Sequence, residues 1–148
     1  MELHMQTETF ALLVKDHEMV KGIIEDLLET SPSAKKTRLE LLKTLKKELL
    51  DHENLEERVV YPPLESRKAT RDLTLEAYQE HHVVDQLLEE LESLDFKDEA
   101  WKAKLTVLQE NLLHHVQEEE KELFPKAEKA LSKDQLKTME QQIAQAKA

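Results

Sequence analysis

The sequence predicts an all-α fold, an up-down-up-down antiparallel four-helix bundle with a short C-terminal fifth helix. Only one Gly and four Pro occur among 148 residues, so the turns of a sheet protein would lack the residues that they need. Apolar side chains recur three and four residues apart in four long segments, which is the spacing of amphipathic helices. The second pair of these segments also repeats the first pair, which predicts a duplicated helical hairpin.

The four long helices are predicted over residues 7–30, 33–62, 70–93 and 97–124. Pro62 and Pro125 should end the second and the fourth, because a proline inside a helix removes a backbone hydrogen bond. Further on, Ser132 and Gln135 form a capping-box pattern that predicts the fifth helix. Short connections favour antiparallel neighbours, and the length suits a single domain over residues 1–148.

An internal repeat relates the two halves of the chain. Residues 16–27 align with residues 80–91 at an offset of 64, and residues 49–57 align with residues 112–120 at an offset of 63. Each of these four segments carries a histidine on its apolar stripe. The repeat therefore predicts four imidazoles around a pseudo-two-fold axis.

Charge and composition exclude several classes of partner and cofactor. The formal net charge of -11 disfavours nucleic acid and anionic membranes, because both are bound through clustered Lys and Arg. The chain has no cysteine, which excludes disulfides, thiolate zinc sites and iron-sulfur clusters. No apolar run reaches transmembrane length, and the N-terminal residues lack the pattern of a signal peptide, so a cytoplasmic protein is expected. The sequence makes no prediction of the oligomeric state.

Six polar side chains on the apolar stripes are candidate metal ligands. They are His17, His52, Glu56, His81, His115 and Glu119. Two of the helices carry a His-x-x-x-Glu pair, and residues four apart lie on the same face of a helix. Six protein ligands are too many for one ion and suit two ions that share carboxylates. Imidazole combined with carboxylate favours iron or manganese, and zinc is also possible.

A metal-free bundle is the alternative, because a single histidine in a core is usually a hydrogen-bonded structural residue. The two glutamates weigh against it, since burying a carboxylate without a cation is costly. The register of the stripes separates neighbouring histidines. His82, His114 and Glu118 are predicted to be solvated, because the apolar residues lie on the stripes of His81 and His115.

The order His, His-x-x-x-Glu, His, His-x-x-x-Glu, with Asp16 and Glu80 preceding the single histidines, resembles the hemerythrin-like family, also called HHE cation-binding domains. The resemblance covers essentially the whole chain. It implies a bundle that holds two iron ions, bridged by carboxylates and an oxo or hydroxo group. Such a centre binds or senses dioxygen, nitric oxide or iron. By matching position, the resemblance makes the six candidates the ligands, with Glu56 and Glu119 bridging.

One position departs from the oxygen-carrying hemerythrins, which have a second histidine four residues after the first on the third helix. This chain has Asp85 there, so the alternative function is a di-iron enzyme that acts on peroxide or another small oxidant. Tyr61 and Tyr78 are predicted to pack in the core, and Tyr78 is one turn from His81 and within reach of the site. A ferritin-like site is excluded, because its Glu-x-x-His motif does not occur.

Overall fold

The computed structural model describes residues 8–148, and in this part of the chain every regular element is a helix, with no strand. Its α-helices are, in chain order, α1 (Ala11–Leu28), α2 (Lys35–Leu55), α3 (Tyr61–Glu65), α4 (Lys68–Ser93), α5 (Glu99–Glu118), α6 (Phe124–Ala130) and α7 (Lys133–Lys147). The predicted start of the first helix at residue 7 lies outside the described residues. The predicted fold class is confirmed.

The four long helices, α1, α2, α4 and α5, enclose a common core. Helix α1 contacts α2 and α5, while α4 contacts α5 and α2, so the contacts close into a ring. Helix α2 continues into α3, and connections of two to six residues follow α1, α3 and α4, so successive long segments run in opposite directions. This arrangement is the predicted antiparallel four-helix bundle.

Two hydrophobic clusters fill the bundle, one on each side of a layer of buried polar side chains. The distal cluster contains Ile24, Leu45, Leu88, Trp101 and Leu105, among others. The proximal cluster contains Phe10, Leu13, Tyr61, Leu64, Ala77, Phe124, Met139 and Ile143, among others. Helices α1, α2 and α4 contribute to both clusters, and α5 contributes to the distal one, while Leu123 and Phe124 after α5 join the proximal one. The polar layer between the clusters is therefore covered at both ends.

A buried arginine closes the distal end of the bundle. Arg38 is 2% exposed, and its guanidinium carbon lies 4.0 Å from the centroid of the Trp101 ring. The same side chain donates hydrogen bonds to the hydroxyl and the carbonyl of Thr30, at 2.8 and 2.9 Å, and to the carbonyl of Phe96. One residue therefore ties together α2, α5 and the connections that follow α1 and α4.

The C-terminal helix α7 covers the proximal cluster. The predicted capping box is present, with Ser132 and Gln135 exchanging hydrogen bonds at its start. Met139 and Ile143 are buried against the proximal cluster. At the end of α7, the ammonium group of Lys147 lies 2.7 Å from both carboxylate oxygens of Asp16. The fifth helix is therefore anchored at its beginning, middle and end.

The predicted ends of the second and fourth helices at Pro62 and Pro125 are wrong. Each helix widens into a π-helical turn before its proline, Glu56–Val60 and Glu119–Leu123, and the backbone then stays helical past the proline as α3 and α6. A proline cannot donate the helical hydrogen bond, and its ring presses on the carbonyl four residues earlier. The π turn relieves this contact by widening the helix instead of ending it.

Candidate metal centre

The polar layer between the two clusters brings together all six candidate ligands. Four are histidines on different long helices, and the two glutamates open the two π-helical turns. None of the six exposes more than 6% of its surface. The burial that the sequence pattern predicts for them is therefore confirmed, and their role as ligands is a proposal.

The six side chains form two overlapping groups, each with ligand atoms within 4.8 Å of one another. The first group is His17, His52, Glu56 and Glu119, and the second is His81, His115, Glu56 and Glu119. Glu56 directs Oε2 to Nε2 of His52 at 3.3 Å and Oε1 to Nε2 of His81 at 3.0 Å. Each of its oxygens therefore faces a different group.

Glu119 repeats this arrangement from the opposite side. Its Oε1 lies 3.1 Å from Nε2 of His17, and its Oε2 lies 3.5 Å from Nε2 of His115. Both carboxylates thus stand between the two groups, with one oxygen toward each. This is the arrangement of two carboxylates that bridge two ions.

Several atoms of this layer are buried without a hydrogen-bond partner. They are Nε2 of His17, His52 and His115, Oε2 of Glu56 and Oε1 of Glu119. Buried polar atoms without partners are rare because each costs free energy. Lone pairs from imidazole and carboxylate, converging without partners, are the donors that iron, manganese and zinc accept. The donor set fits a pair of such cations.

An outer ring of carboxylates orients the histidines. Each histidine donates a hydrogen bond from Nδ1 to one acidic side chain: His17 to Glu120 at 2.6 Å, His52 to Asp16 at 2.9 Å, His81 to Glu57 at 2.7 Å and His115 to Glu80 at 2.6 Å. With the proton on Nδ1, the lone pair on Nε2 points into the polar layer. Outer carboxylates of this kind fix the tautomer of a ligand and raise its basicity.

The sequence pattern did not lead us to predict this ring of carboxylates. The signal was in the internal repeat. Asp16 and Glu80 each precede the single histidine of their half, and Glu57 and Glu120 each follow the inward glutamate. Each outer carboxylate reaches a histidine on the neighbouring helix, so no one helix reveals the pairing.

A tyrosine at the edge of the layer joins the site. The hydroxyl of Tyr61 donates to Oε1 of Glu56 at 3.0 Å, contacts Oε2 of Glu119, and lies 3.3 Å from Nε2 of His81. The equivalent residue in the second half is Phe124, whose ring stacks on Phe10. Tyr61 is buried in the core as predicted, but its hydroxyl also contacts the candidate ligands. The two halves of the site therefore differ chemically.

The other residues that the sequence singled out lie around this layer. Tyr78 packs against the ring of Tyr61, with centroids 5.1 Å apart. Asp85 lies beside Glu53 and belongs to neither ligand group among the described residues. His82 is exposed as predicted. His114 is exposed as well, but it pairs with Glu118, whose side chain is only 22% exposed.

The carboxylates of the polar layer raise the pKa values of its four histidines. Burial opposes protonation of His52, but the charge of Glu56 and the hydrogen bond to Asp16 outweigh it and raise the pKa of His52 to about 10. The pKa values of His17, His81 and His115 are raised through their own carboxylate partners. Burial and the neighbouring Asp85 raise the pKa of Glu53 to about 10. Metal ions must therefore displace protons from the histidines.

The fold and the polar layer define a class of protein, a helical bundle with a buried layer of histidines and glutamates that could hold cations. Residues 9–127 match the model of the hemerythrin HHE cation-binding domain family. The chain belongs to this family. No curated protein matches the chain. No helix within residues 8–148 is long and apolar enough to cross a bilayer.

Metal removal should reverse the pH dependence of stability. In the metal-free protein the raised pKa values of His52 and Glu53 mean that the folded state binds more protons than the unfolded chain. The His52 contribution is complete below pH 6.5 and is lost as the pH rises toward about 10, and protonated Glu53 acts in the same direction. We expect the metal-free protein to lose several kcal/mol of stability between pH 6 and pH 9, because each pH unit between the unfolded and folded pKa of a group corresponds to about 1.4 kcal/mol.

Urea unfolding of metal-free and metal-loaded protein at a series of pH values measures this effect. The metal-loaded protein should become more stable over the same range, because deprotonated histidines bind metal more tightly. If the stability of the metal-free and the metal-loaded protein changed with pH in the same way, protons and metal ions would not compete for the histidines.

The outer carboxylates should tune metal affinity without being ligands. We expect Glu57→Gln and Glu120→Gln each to weaken metal binding by about 10-fold to 100-fold, because the amide no longer holds the imidazole as a carboxylate does. Titration against a competing chelator measures the change. Glu40→Gln, on the exposed face of α2, is the matched control and should bind metal like the unsubstituted chain. Equal affinities in all three variants would exclude the orienting role.

Proposed function

We propose that the chain is a non-haem di-iron protein that binds dioxygen or nitric oxide at the polar layer. The proposed ligands are His17, His52, Glu56, His81, His115 and Glu119. The observation that carries the proposal is the position of Glu56 and Glu119, each with one oxygen toward each group of histidines. The packing of α7 on the proximal cluster supports one domain over residues 1–148.

The donor set supports iron among the candidate metals. Each ion would receive two imidazole nitrogens and one oxygen from each of two carboxylates, which are four protein ligands. Iron and manganese accept a fifth and sixth ligand, whereas structural zinc is usually satisfied by four. When bound, two iron ions would supply electrons and open coordination positions for a small ligand.

The surroundings of the centre restrict the size of that ligand. The six side chains are buried, and the distal and proximal clusters cover them on both sides. A diatomic molecule fits such an enclosed layer, and a larger substrate would have to displace core side chains. Enclosure also keeps bulk water away from the ligand.

Tyr61 supplies the one hydroxyl within hydrogen-bond distance of the two glutamates among the described residues. Burial and the charges of Glu119 and Glu56 raise its pKa well above 10, so it keeps its proton at neutral pH. A protonated hydroxyl at this position can donate a hydrogen bond to a small ligand in the layer. The same proton favours a second candidate function, turnover of peroxide, because an oxygen leaving group requires a proton.

The test is to load the protein with iron, reduce it without oxygen and add nitric oxide or dioxygen. We expect a saturable adduct in the visible absorption spectrum, with nitric oxide released at least several times faster from Tyr61→Phe than from the unsubstituted protein. Phe124→Tyr, at the equivalent position of the other half, is the matched comparison. Steady consumption of peroxide, without a stable adduct of dioxygen or nitric oxide, would show that the protein is a peroxide-consuming enzyme and not a binding protein.

A further inference from the structure

A second cluster of metal-ligating side chains lies on the surface where α4 meets α5. Glu80, His114 and Glu118 each offer one ligand atom, and these three atoms lie within 4.8 Å of one another. Nε2 of His114 lies 2.9 Å from Oε2 of Glu118 and 3.5 Å from Oε2 of Glu80. His114 and Glu118 form the same His-x-x-x-Glu pair as the buried ligands, one residue earlier on the helix.

The charge around this cluster is negative and lacks a fixed cation. Burial and the carboxylates of Glu80 and Glu76 raise the pKa of Glu118, which shows how closely these acidic groups approach. Within residues 8–148, no lysine or arginine forms an ion pair with Glu80 or Glu118. The side chain of His114 is 65% exposed, so a cation from solvent can reach the three ligand atoms of the cluster.

The internal repeat allows this cluster to be compared with the equivalent position in the first half of the chain. The residue equivalent to Glu80 is Asp16, and there the chain provides its own cation, because Lys147 lies 2.7 Å from both oxygens of Asp16. His114 and Glu118 correspond to Asp51 and Leu55, which form no such ligand pair. One half therefore satisfies its outer carboxylate with lysine, while the other half surrounds it with an imidazole and a second carboxylate.

We propose that Glu80, His114 and Glu118 form a peripheral binding site for a divalent transition-metal cation, represented by Zn²⁺. One imidazole nitrogen and two carboxylate oxygens are donors that zinc accepts, and water can complete its coordination on the open side. The three residues come from adjacent helices of a packed bundle, so the site is held in place before the ion arrives.

The peripheral site is connected to the buried centre through Glu80. Oε1 of Glu80 accepts the hydrogen bond from Nδ1 of His115 at 2.6 Å, while Oε2 faces His114. A cation on Oε2 withdraws negative charge from Oε1, and His115 then becomes a weaker donor to a metal at its Nε2. This coupling rests on the proposed di-iron function, but cation binding at the surface does not.

Zinc titration of the full-length, iron-loaded protein by calorimetry tests the site. We expect one zinc ion per chain, with affinity reduced at least tenfold in His114→Ala and in Glu118→Gln. His82→Ala removes an exposed histidine from α4 and is the matched control, with unchanged zinc affinity. Equal zinc binding by unsubstituted protein and His114→Ala, or equal loss in His82→Ala, would overturn the proposal.

The coupling has its own readout. Zinc should shift the visible absorption of the iron-loaded protein but not that of His114→Ala, and zinc binding without a shift would refute the coupling. If the chain does not load iron at all, zinc will occupy the buried ligands too. The unsubstituted protein must then still bind one zinc more than His114→Ala, so failure of the di-iron proposal is distinguishable from failure of this one.

Discussion

Replacing Glu56 by Gln should leave the protein folded but with less than about one iron per chain, against two in the unsubstituted protein. The amide has the size of the carboxylate, but it is neutral and cannot bridge two cations. Because Glu56 faces both groups of histidines, its loss affects both metal positions. His17→Ala should retain about one iron, since His17 belongs to one group only.

Elemental analysis and the near-ultraviolet absorption of an oxo-bridged iron pair measure the outcome. His82→Ala, which removes an exposed histidine next to His81, should retain the full iron content. Circular dichroism should show unchanged helix content in each variant. A Glu56→Gln protein that still binds two irons would show that Glu56 does not bridge the two metal ions.

Replacing Arg38 by Ala should destabilise the protein by about 3–5 kcal/mol, because the change removes the contacts of a buried cation and leaves its acceptors unpaired. Arg38 is in contact with the Trp101 ring and bonds to Thr30 and Phe96, so it links separate parts of the distal end. Arg71→Ala is the control, because Arg71 makes one exposed hydrogen bond to a backbone carbonyl and should cost less than about 0.5 kcal/mol.

Urea unfolding of the two arginine variants measures the difference. At temperatures where Arg38→Ala is folded, its iron content should equal that of the unsubstituted protein. The distal cluster separates Arg38 from the polar layer. Equal midpoints for the two variants would show that Arg38 does not hold the distal end together.

The helices and the burial of the candidate ligands could be predicted because they depend on periodicity within single segments. The spacing of His52 and Glu56 places both on one face whatever the other helices do. The repeat at His115 and Glu119 then selects the register that faces inward. Local pattern and internal repetition were therefore sufficient for these features.

The repeat marks the positions of the outer carboxylates, but their pairing with the histidines and the contacts of Tyr61 could not be predicted from single segments, because these contacts depend on the distance between helices. Asp16 reaches His52 on a neighbouring helix, and the stripe of its own helix does not show it. The hydroxyl of Tyr61 reaches Glu119 because the widened turn Glu56–Val60, just before Tyr61, directs this side chain toward the polar layer. A proline is usually a helix terminator, and nothing within one segment indicated the wider turn.

The π-helical turns also bear on the history of the chain. In a regular α-helix, Glu56 and Tyr61 would point about 140° apart, and the widened turn lets both face the same interior layer. The same turn stands before Phe124 in the other half. Duplication of one hairpin that already carried the widened turn is the simplest origin of two matching turns within an internal repeat. Tyrosine and phenylalanine then mark where the descendants of that hairpin diverged.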